Sequence, residues 1–214
     1  MIETRYNVVI VGGGIVGLAV ALEITRRFPR LRLLLLEKED RVGRHQSGHN
    51  SGVIHSGVYY KPGSLKAKLC VTGAAAMVEF CREQGVRHQV CGKVIVATHE
   101  DEFPRLEELR RRGEANGLAG LRLIGADELR DIEPHASGAR ALLVPSTGIT
   151  DYAAVCDKYA ELISAQGGAI LASTAVIGLK RHADEIVVET TRGDRKSTRL
   201  NSSHLSVSRM PSSA

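Results

Sequence analysis

Apolar residues near the start of the chain follow two different periods. Two short, mostly apolar runs, Tyr6 to Val11 and Leu31 to Leu36, are typical of buried strands. Between them the apolar residues recur at helical spacing from Ile15 to Arg27. Strand, helix and strand predict a βαβ unit with a parallel sheet, and therefore an α/β fold. The predicted buried face of the helix comprises Ile15, Leu18, Ala19, Leu22 and Ile24.

A glycine turn joins the first strand to this helix. Its sequence is Gly12-Gly13-Gly14-Ile15-Val16-Gly17, which is a G-x-G-x-x-G motif in the strand–turn–helix context that it requires. Gly12 permits the tight turn, Gly14 leaves room for a pyrophosphate, and Gly17 lets the helix approach the strand. The free N–H groups and positive dipole of the helix N-terminus favour phosphate binding there.

Glu37 ends the second strand, twenty residues after Gly17. A carboxylate at this point can accept hydrogen bonds from ribose hydroxyls, and it would repel the 2′-phosphate of an NADP-type ligand. The glycine turn and Glu37 together predict a dinucleotide-binding site. The alternative is a glycine-rich turn that binds no ligand.

The alternation of strands and helices breaks after residue 85 and resumes after residue 148. Before the break, a helix is predicted from Leu65 to Gln84, with Ser64 as N-cap and Gly85 as C-cap. Residues 86–148 give short strands and helices without βαβ order, which favours an inserted domain. The helix from residue 65 has an apolar repeat on one face, formed by Leu65, Leu69, Ala76 and Phe80.

The segment Asp40–Gly63 is rich in glycine, serine, asparagine and histidine. A loop of this length is typically functional or disordered, and small polar residues suit close wrapping of a polar ligand. Its histidines, His45, His49 and His55, have no spacing typical of a metal site, and no metal is expected. His55 follows the apolar pair Val53-Ile54 and is the candidate for chemistry.

The charge and the cysteine content argue against several other classes of protein. The chain has 214 residues and a net charge of +5, of which residues 194–214 carry +3. The remaining +2 is too weak a footprint for nucleic-acid binding. Four cysteines match no zinc or disulfide pattern, and no apolar run is long enough to span a bilayer. The first residues show no leader pattern, so a cytoplasmic location is expected.

Residues 194–214 lose all periodicity and contain seven serines. We expect this tail to be disordered, because it cannot bury enough apolar surface to order itself. It resembles a translated vector or sequencing-adapter read-through and carries none of the functional argument.

The glycine motif, Glu37 and the segment from His45 to Tyr60 together resemble the FAD-dependent oxidoreductases of the D-amino-acid-oxidase and glycerol-3-phosphate-dehydrogenase superfamily. Within it, residues 45–67 with Glu133-Pro134 and Pro145–Tyr152 are most similar to the L-2-hydroxyglutarate dehydrogenase/oxidase family. The likeness covers residues 5 to about 192. Members of that family are roughly twice as long as this chain.

The resemblance implies a Rossmann-like FAD-binding domain with a parallel sheet, formed by residues 1–85 and 149–193. Residues 86–148 would then be part of an inserted α+β substrate domain. FAD would lie along the glycine turn and Glu37, wrapped by the 41–57 loop, with His55 near the flavin ring. The implied cofactor-binding residues are Gly12, Gly13, Gly14, Ile15, Val16, Gly17, Glu37, Lys38, Ser47, Asn50, Ser51, Gly52 and Val176.

The family's activity implies oxidation of L-2-hydroxyglutarate to 2-oxoglutarate, with hydride transfer to flavin N5 and His55 as the base or as a structural residue beside the flavin. Electrons would pass to a quinone or to oxygen. A quinone would bring the enzyme into peripheral contact with the inner face of the plasma membrane. Two alternatives remain open: a related flavin enzyme acting on an amino acid or glycerol 3-phosphate, and an inactive truncated flavin domain.

Overall fold

The computed structural model of the chain describes residues 5–193 and 195–197. It contains five α-helices and thirteen strands among these residues, with a short 3-10 turn at Glu100–Glu102. The helices are α1 (Ile15–Arg27), α2 (Leu65–Glu83), α3 (Phe103–Ala115), α4 (Ala126–Ile132) and α5 (Tyr152–Ala165). The strands are β1 (Arg5–Tyr6), β2 (Val8–Val11), β3 (Leu33–Leu36), β4 (Val53–Ile54), β5 (His88–Gln89), β6 (Lys93–Ala97), β7 (Arg122–Gly125), β8 (Arg140–Val144), β9 (Gly148–Thr150), β10 (Ala169–Leu171), β11 (Val176–Arg181), β12 (Ile186–Thr190) and β13 (Arg195–Ser197).

The chain divides into two compact units. The first is formed by the segments up to Asn50 and from Tyr152 onward, and the second by Ser51–Asp151. The predicted domain boundaries differ, since they leave α2 with the FAD-binding domain whereas its packing places it in the second unit. Packing alone does not define a cofactor domain, so the functional boundaries stay a prediction.

The first unit has three layers built around β3. The parallel sheet has the order β10-β3-β2, in the register Val8↔Leu33 to Val11↔Leu36. Leu33 and Leu35 face a cluster with α1 and α5, and Leu34 and Leu36 face Tyr6 and Val188 of the second sheet. All four leucines are buried because β3 is covered on both faces, which explains its unbroken apolar sequence.

The second sheet of this unit has the order β1-β13-β12-β11. The strand β13 pairs parallel with β1 and antiparallel with β12. The predicted disorder of residues 194–214 is therefore wrong for Arg195–Ser197, which occupy the gap between two strands and satisfy their hydrogen bonds. Asp194 and residues 198–214 lie outside the described residues, so the prediction for them stays untested.

The second unit has two antiparallel sheets, β4-β9-β5 and β6-β8-β7, with α2, α3 and α4. The helix α2 begins as predicted, with Ser64 Oγ accepting the Ala67 N–H at 3.2 Å. The apolar repeat of α2 does not form its buried face: Leu65 and Leu69 are 70% and 61% exposed, whereas Ala67 and Cys81 are buried. In α1, similarly, Ala19 is exposed and Ala21 is buried. Within the described part of the chain, no helix has the length and apolar content to cross a membrane.

Candidate cofactor and substrate site

The glycine turn of the first unit has the geometry that its sequence predicts. Gly12 has φ +105°, which a residue with a side chain rarely adopts, and its N–H donates to the Leu36 carbonyl at 2.8 Å. A Cβ at Gly17 would lie 2.1 Å from the Gly12 carbonyl oxygen. Glycine at position 17 is therefore required for the first turn of α1 to lie against the end of β2.

The backbone N–H groups of this turn fall into two sets. The Gly13 N–H donates to Glu37 Oε2 at 2.6 Å, and the Ile15 N–H donates to Ser47 Oγ at 2.9 Å. The N–H groups of Gly14, Val16 and Gly17 donate to no acceptor within the described residues. These three donors stand at the N-terminus of the 13-residue helix α1, where the helix dipole adds positive potential. The arrangement can bind a phosphate or pyrophosphate.

Glu37 is buried, and both of its carboxylate oxygens already accept backbone hydrogen bonds. Oε2 accepts from Gly13 and Oε1 accepts from the Glu39 N–H at 2.9 Å. A carboxylate oxygen can accept more than one hydrogen bond, so ribose hydroxyls can still be bound. The structure thus adds a role that the sequence did not reveal, because Glu37 fixes the conformation of the turn before any ligand binds.

The 41–49 part of the long loop folds over the glycine turn. The Gly43 N–H donates to the Gly13 carbonyl at 2.9 Å, and a Cβ at Gly48 would lie 2.5 Å from the Gly43 oxygen. This tight fold brings Ser47 Oγ to the start of α1. The Asn50 amide instead donates to the Ser47 and Gln46 carbonyls, at 2.8 and 3.2 Å, and so holds the loop itself.

The remaining predicted cofactor-binding residues are divided between the two units. Lys38 is exposed and pairs with Glu39 at 3.6 Å, and Val176 begins β11 and packs on the cluster of Tyr6 and Val188. Ser51 and Gly52 belong to the second unit, where the Gly52 carbonyl accepts the Thr150 N–H at 2.8 Å. Their contact with a cofactor stays a prediction.

His55 lies in the second unit with an exposed side chain. Its carbonyl oxygen accepts the Cys70 thiol at 3.2 Å, and its imidazole has no hydrogen-bond partner within the described residues. Burial raises the pKa of the Cys70 thiol, and the positive charges of Lys93 and Lys66 oppose that effect. The next residue, Ser56, has a buried hydroxyl with no partner in the described chain, which leaves a donor for a water or ligand.

Two lysines lie near Cys70; the sequence indicates only that Lys66 is close enough to the long loop to contact an anion, and it gives no role to Lys93. Lys93 Nζ lies 4.2 Å from the ring centre of Tyr59, and Lys66 Nζ lies 4.7 Å from that of Tyr60. The signal in the sequence is the pair Tyr59-Tyr60, but its cationic partners are separated from it by up to 34 positions and need the fold to be found.

Histidines of the loop have local roles. His45 Nε2 lies 2.9 Å from Glu39 Oε1, and His49 Nδ1 lies 3.1 Å from the His45 carbonyl. No group of three metal-ligating side chains occurs among the residues that the structure describes.

Comparison with known proteins shows which protein family the sequence matches. The sequence model described as "FAD dependent oxidoreductase" matches residues 7–202. The chain is 47% identical over 188 residues to an L-2-hydroxyglutarate dehydrogenase from Indibacter alkaliphilus, covering 88% of this chain and 47% of that protein. It is 44% identical over 202 residues to the mitochondrial L-2-hydroxyglutarate dehydrogenase of Homo sapiens, covering 89% and 44%. The chain therefore spans about half the length of these relatives.

Solved structures show the same fold. A dithionite-reduced L-alpha-glycerophosphate oxidase from Mycoplasma pneumoniae with FAD bound matches with a TM-score of 0.84 and 27% identity, covering 92% of this chain and 53% of that one. A glycine oxidase from Geobacillus kaustophilus matches with a TM-score of 0.82 and 23% identity, covering 92% and 54%.

Proposed function

Because the chain belongs to the FAD dependent oxidoreductase family, we propose that it binds FAD and forms part of an enzyme that oxidises L-2-hydroxyglutarate to 2-oxoglutarate. The names of the relatives support this substrate, and the prepared glycine turn supports this cofactor. The observation that carries the proposal is the combination of three unpaired N–H groups at the start of α1 with the buried carboxylate of Glu37.

The residues of the first unit fit the ADP part of FAD. The N–H groups of Gly14, Val16 and Gly17 would hold the pyrophosphate, and Glu37 would accept the ribose hydroxyls. The Ser47 hydroxyl, which accepts the Ile15 N–H, keeps its own O–H free to donate to a phosphate oxygen. Direct roles for Lys38, Asn50, Ser51, Gly52 and Val176 stay predictions.

The chemistry that bound FAD would supply is acceptance of a hydride from the hydroxyl-bearing carbon of the substrate. The chain must then supply a base for the hydroxyl proton. His55 suits this role because its exposed imidazole has no hydrogen-bond partner among the described residues and, in its neutral form, can accept a proton. The hydrogen bond from Cys70 to the His55 carbonyl holds the backbone of the candidate base in place.

We propose that the electrons pass to a quinone or to oxygen. We also propose a cytoplasmic location, with a peripheral contact at the inner face of the plasma membrane if the acceptor is a quinone.

The substrate is tested by anaerobic bleaching of the flavin in the full-length protein that carries this sequence. L-2-hydroxyglutarate should bleach the flavin absorbance, and the D-enantiomer should not. Bleaching by glycerol 3-phosphate or an L-amino acid, without bleaching by L-2-hydroxyglutarate, would replace the proposed substrate with that compound. Absence of bleaching by every one of these substrates would favour an inactive flavin domain.

A further inference from the structure

The segment that carries His55 also positions two cations. The carbonyl oxygens of Gly57 and Tyr60 accept hydrogen bonds from Asn116 Nδ2, at 3.1 and 2.9 Å. The Tyr59 carbonyl accepts one from Arg112 at 3.1 Å. The backbone that bears the two tyrosine rings is therefore held in place by the end of α3. A cation over each ring gains attraction from the negative face of the aromatic system.

Both cations lack an acidic partner. Neither the Lys66 nor the Lys93 ammonium forms an ion pair with a carboxylate within the described residues, although Lys38, Lys158 and Lys180 each do. Lys66 also lies in the first turn of α2, which contains no acidic residue. A cation at this position opposes the helix dipole, so helix stability does not explain it.

The two charges act on the same place in the second unit. Lys66 lies one helical turn before Cys70, and the thiol of Cys70 bonds the His55 carbonyl. Lys93 lies over Tyr59, two residues after Gly57, and a Cβ at Gly57 would lie 3.6 Å from Cys70 Cβ. Both lysines thus place positive charge near Cys70, whose thiol bonds the His55 carbonyl, and neither pairs with a carboxylate among the described residues.

We propose that Lys66 and Lys93 form an anion-binding subsite that receives a carboxylate group of a dicarboxylate ligand beside His55. The subsite rests on the proposed function for the identity of that ligand, and it would favour a substrate with two carboxylates over one with a single carboxylate. Removing either ammonium should weaken binding of dicarboxylates and leave monocarboxylates less affected.

The test measures binding and turnover separately in the full-length flavoprotein. Isothermal titration gives the Kd of glutarate and of 2-oxoglutarate for the wild type and for Lys66→Met and Lys93→Met, which keep most of the side-chain length. Lys68→Met is the matched control, because Lys68 lies in the same part of α2 without a ring contact. We expect each of the two variants to raise both Kd values about tenfold, as for loss of one charge-assisted hydrogen bond, and the control to change them little.

Kinetics add the specificity readout. In the two variants KM for L-2-hydroxyglutarate should rise with a smaller change in kcat, and kcat/KM for L-2-hydroxypentanoate should stay near the wild-type value. Kd values unchanged from the control, or no glutarate binding by the wild type, would overturn the subsite. Glutarate binding that depends on both lysines, without oxidation of L-2-hydroxyglutarate, would keep the subsite and refute the proposed substrate.

Discussion

At the scale of single residues, the glycine turn depends on the lack of a side chain at Gly17, which lets two backbone segments approach closely. The Cβ of an alanine at position 17 would lie 2.1 Å from the Gly12 carbonyl oxygen, so backbone must move. The motif alone was sufficient to predict this requirement. The sequence could not show that Glu37 and Ser47 accept the Gly13 and Ile15 N–H groups, because both contacts depend on how distant segments fold back.

Gly17→Ala should therefore destabilise the chain and abolish FAD binding. We expect the free energy of unfolding to fall by about 2 kcal/mol, as for other overpacked sites, in urea denaturation. Gly73→Ala is the control, because a Cβ at Gly73 in α2 meets no atom within 4 Å. That change should be neutral or stabilising by up to about 1 kcal/mol. Equal effects of the two substitutions would contradict the close approach at Gly17.

Glu37→Gln should lower both stability and FAD affinity. A glutamine has one acceptor oxygen, so either the Gly13 or the Glu39 N–H would face an amide NH₂ group. We expect a loss of about 1–3 kcal/mol in the free energy of unfolding without FAD, as for a buried donor left unsatisfied. Glu39→Gln, at a half-buried carboxylate whose ion partners are the exposed side chains of Lys38 and His45, should cost less than about 1 kcal/mol. A Glu37 variant as stable as wild type would exclude the structural role of this carboxylate.

At the scale of elements, strands and helix ends followed from local sequence, but buried faces did not. The turn chemistry of Ser64 and Gly85 sets the ends of α2 correctly. Its buried side could not be read from the apolar repeat, because α2 has small apolar residues on most of its circumference. The tertiary contacts of Ala67 and Cys81 decide which face is inside.

Two leucine substitutions test which face of α2 is buried. Leu69→Ala in α2 should change the free energy of unfolding of the 214-residue chain by less than about 0.5 kcal/mol, because the side chain is exposed. Leu142→Ala in β8, the same chemical change at a fully buried site, should cost about 2–5 kcal/mol. Chemical denaturation of both variants distinguishes the outcomes, and a large loss at Leu69 would show that the apolar repeat of α2 is buried after all.

At the scale of the whole molecule, the first unit depends on segments far apart in the sequence. Its parallel sheet takes β10 from the return segment, and its second sheet takes β13 from the region expected to be disordered. The βαβ order predicted the first arrangement. The second could not be predicted, because Arg195–Ser197 has no apolar pattern and is placed by its pairing with β1 and β12, which are distant in the sequence or outside the local pattern.

Shortening the chain tests this pairing. A chain that ends at Gly193 loses β13, which is the only strand that pairs with β1 among the described residues. Its Tm should fall by several degrees relative to the 214-residue chain, in line with a loss of about 1 kcal/mol or more. A chain that ends at Thr198 retains the strand and should keep most of the stability. Equal Tm values for all three chains would show that β13 contributes nothing.

The central claim is that the glycine turn and Glu37 bind the ADP part of FAD, and FAD titration of the 214-residue chain tests it most directly. Quenching of flavin fluorescence should saturate at about one FAD per chain. ADP should compete for the site, whereas ADP carrying a 2′-phosphate should not, since Glu37 repels it. No saturable binding, or FAD binding that ADP does not displace, would contradict the account.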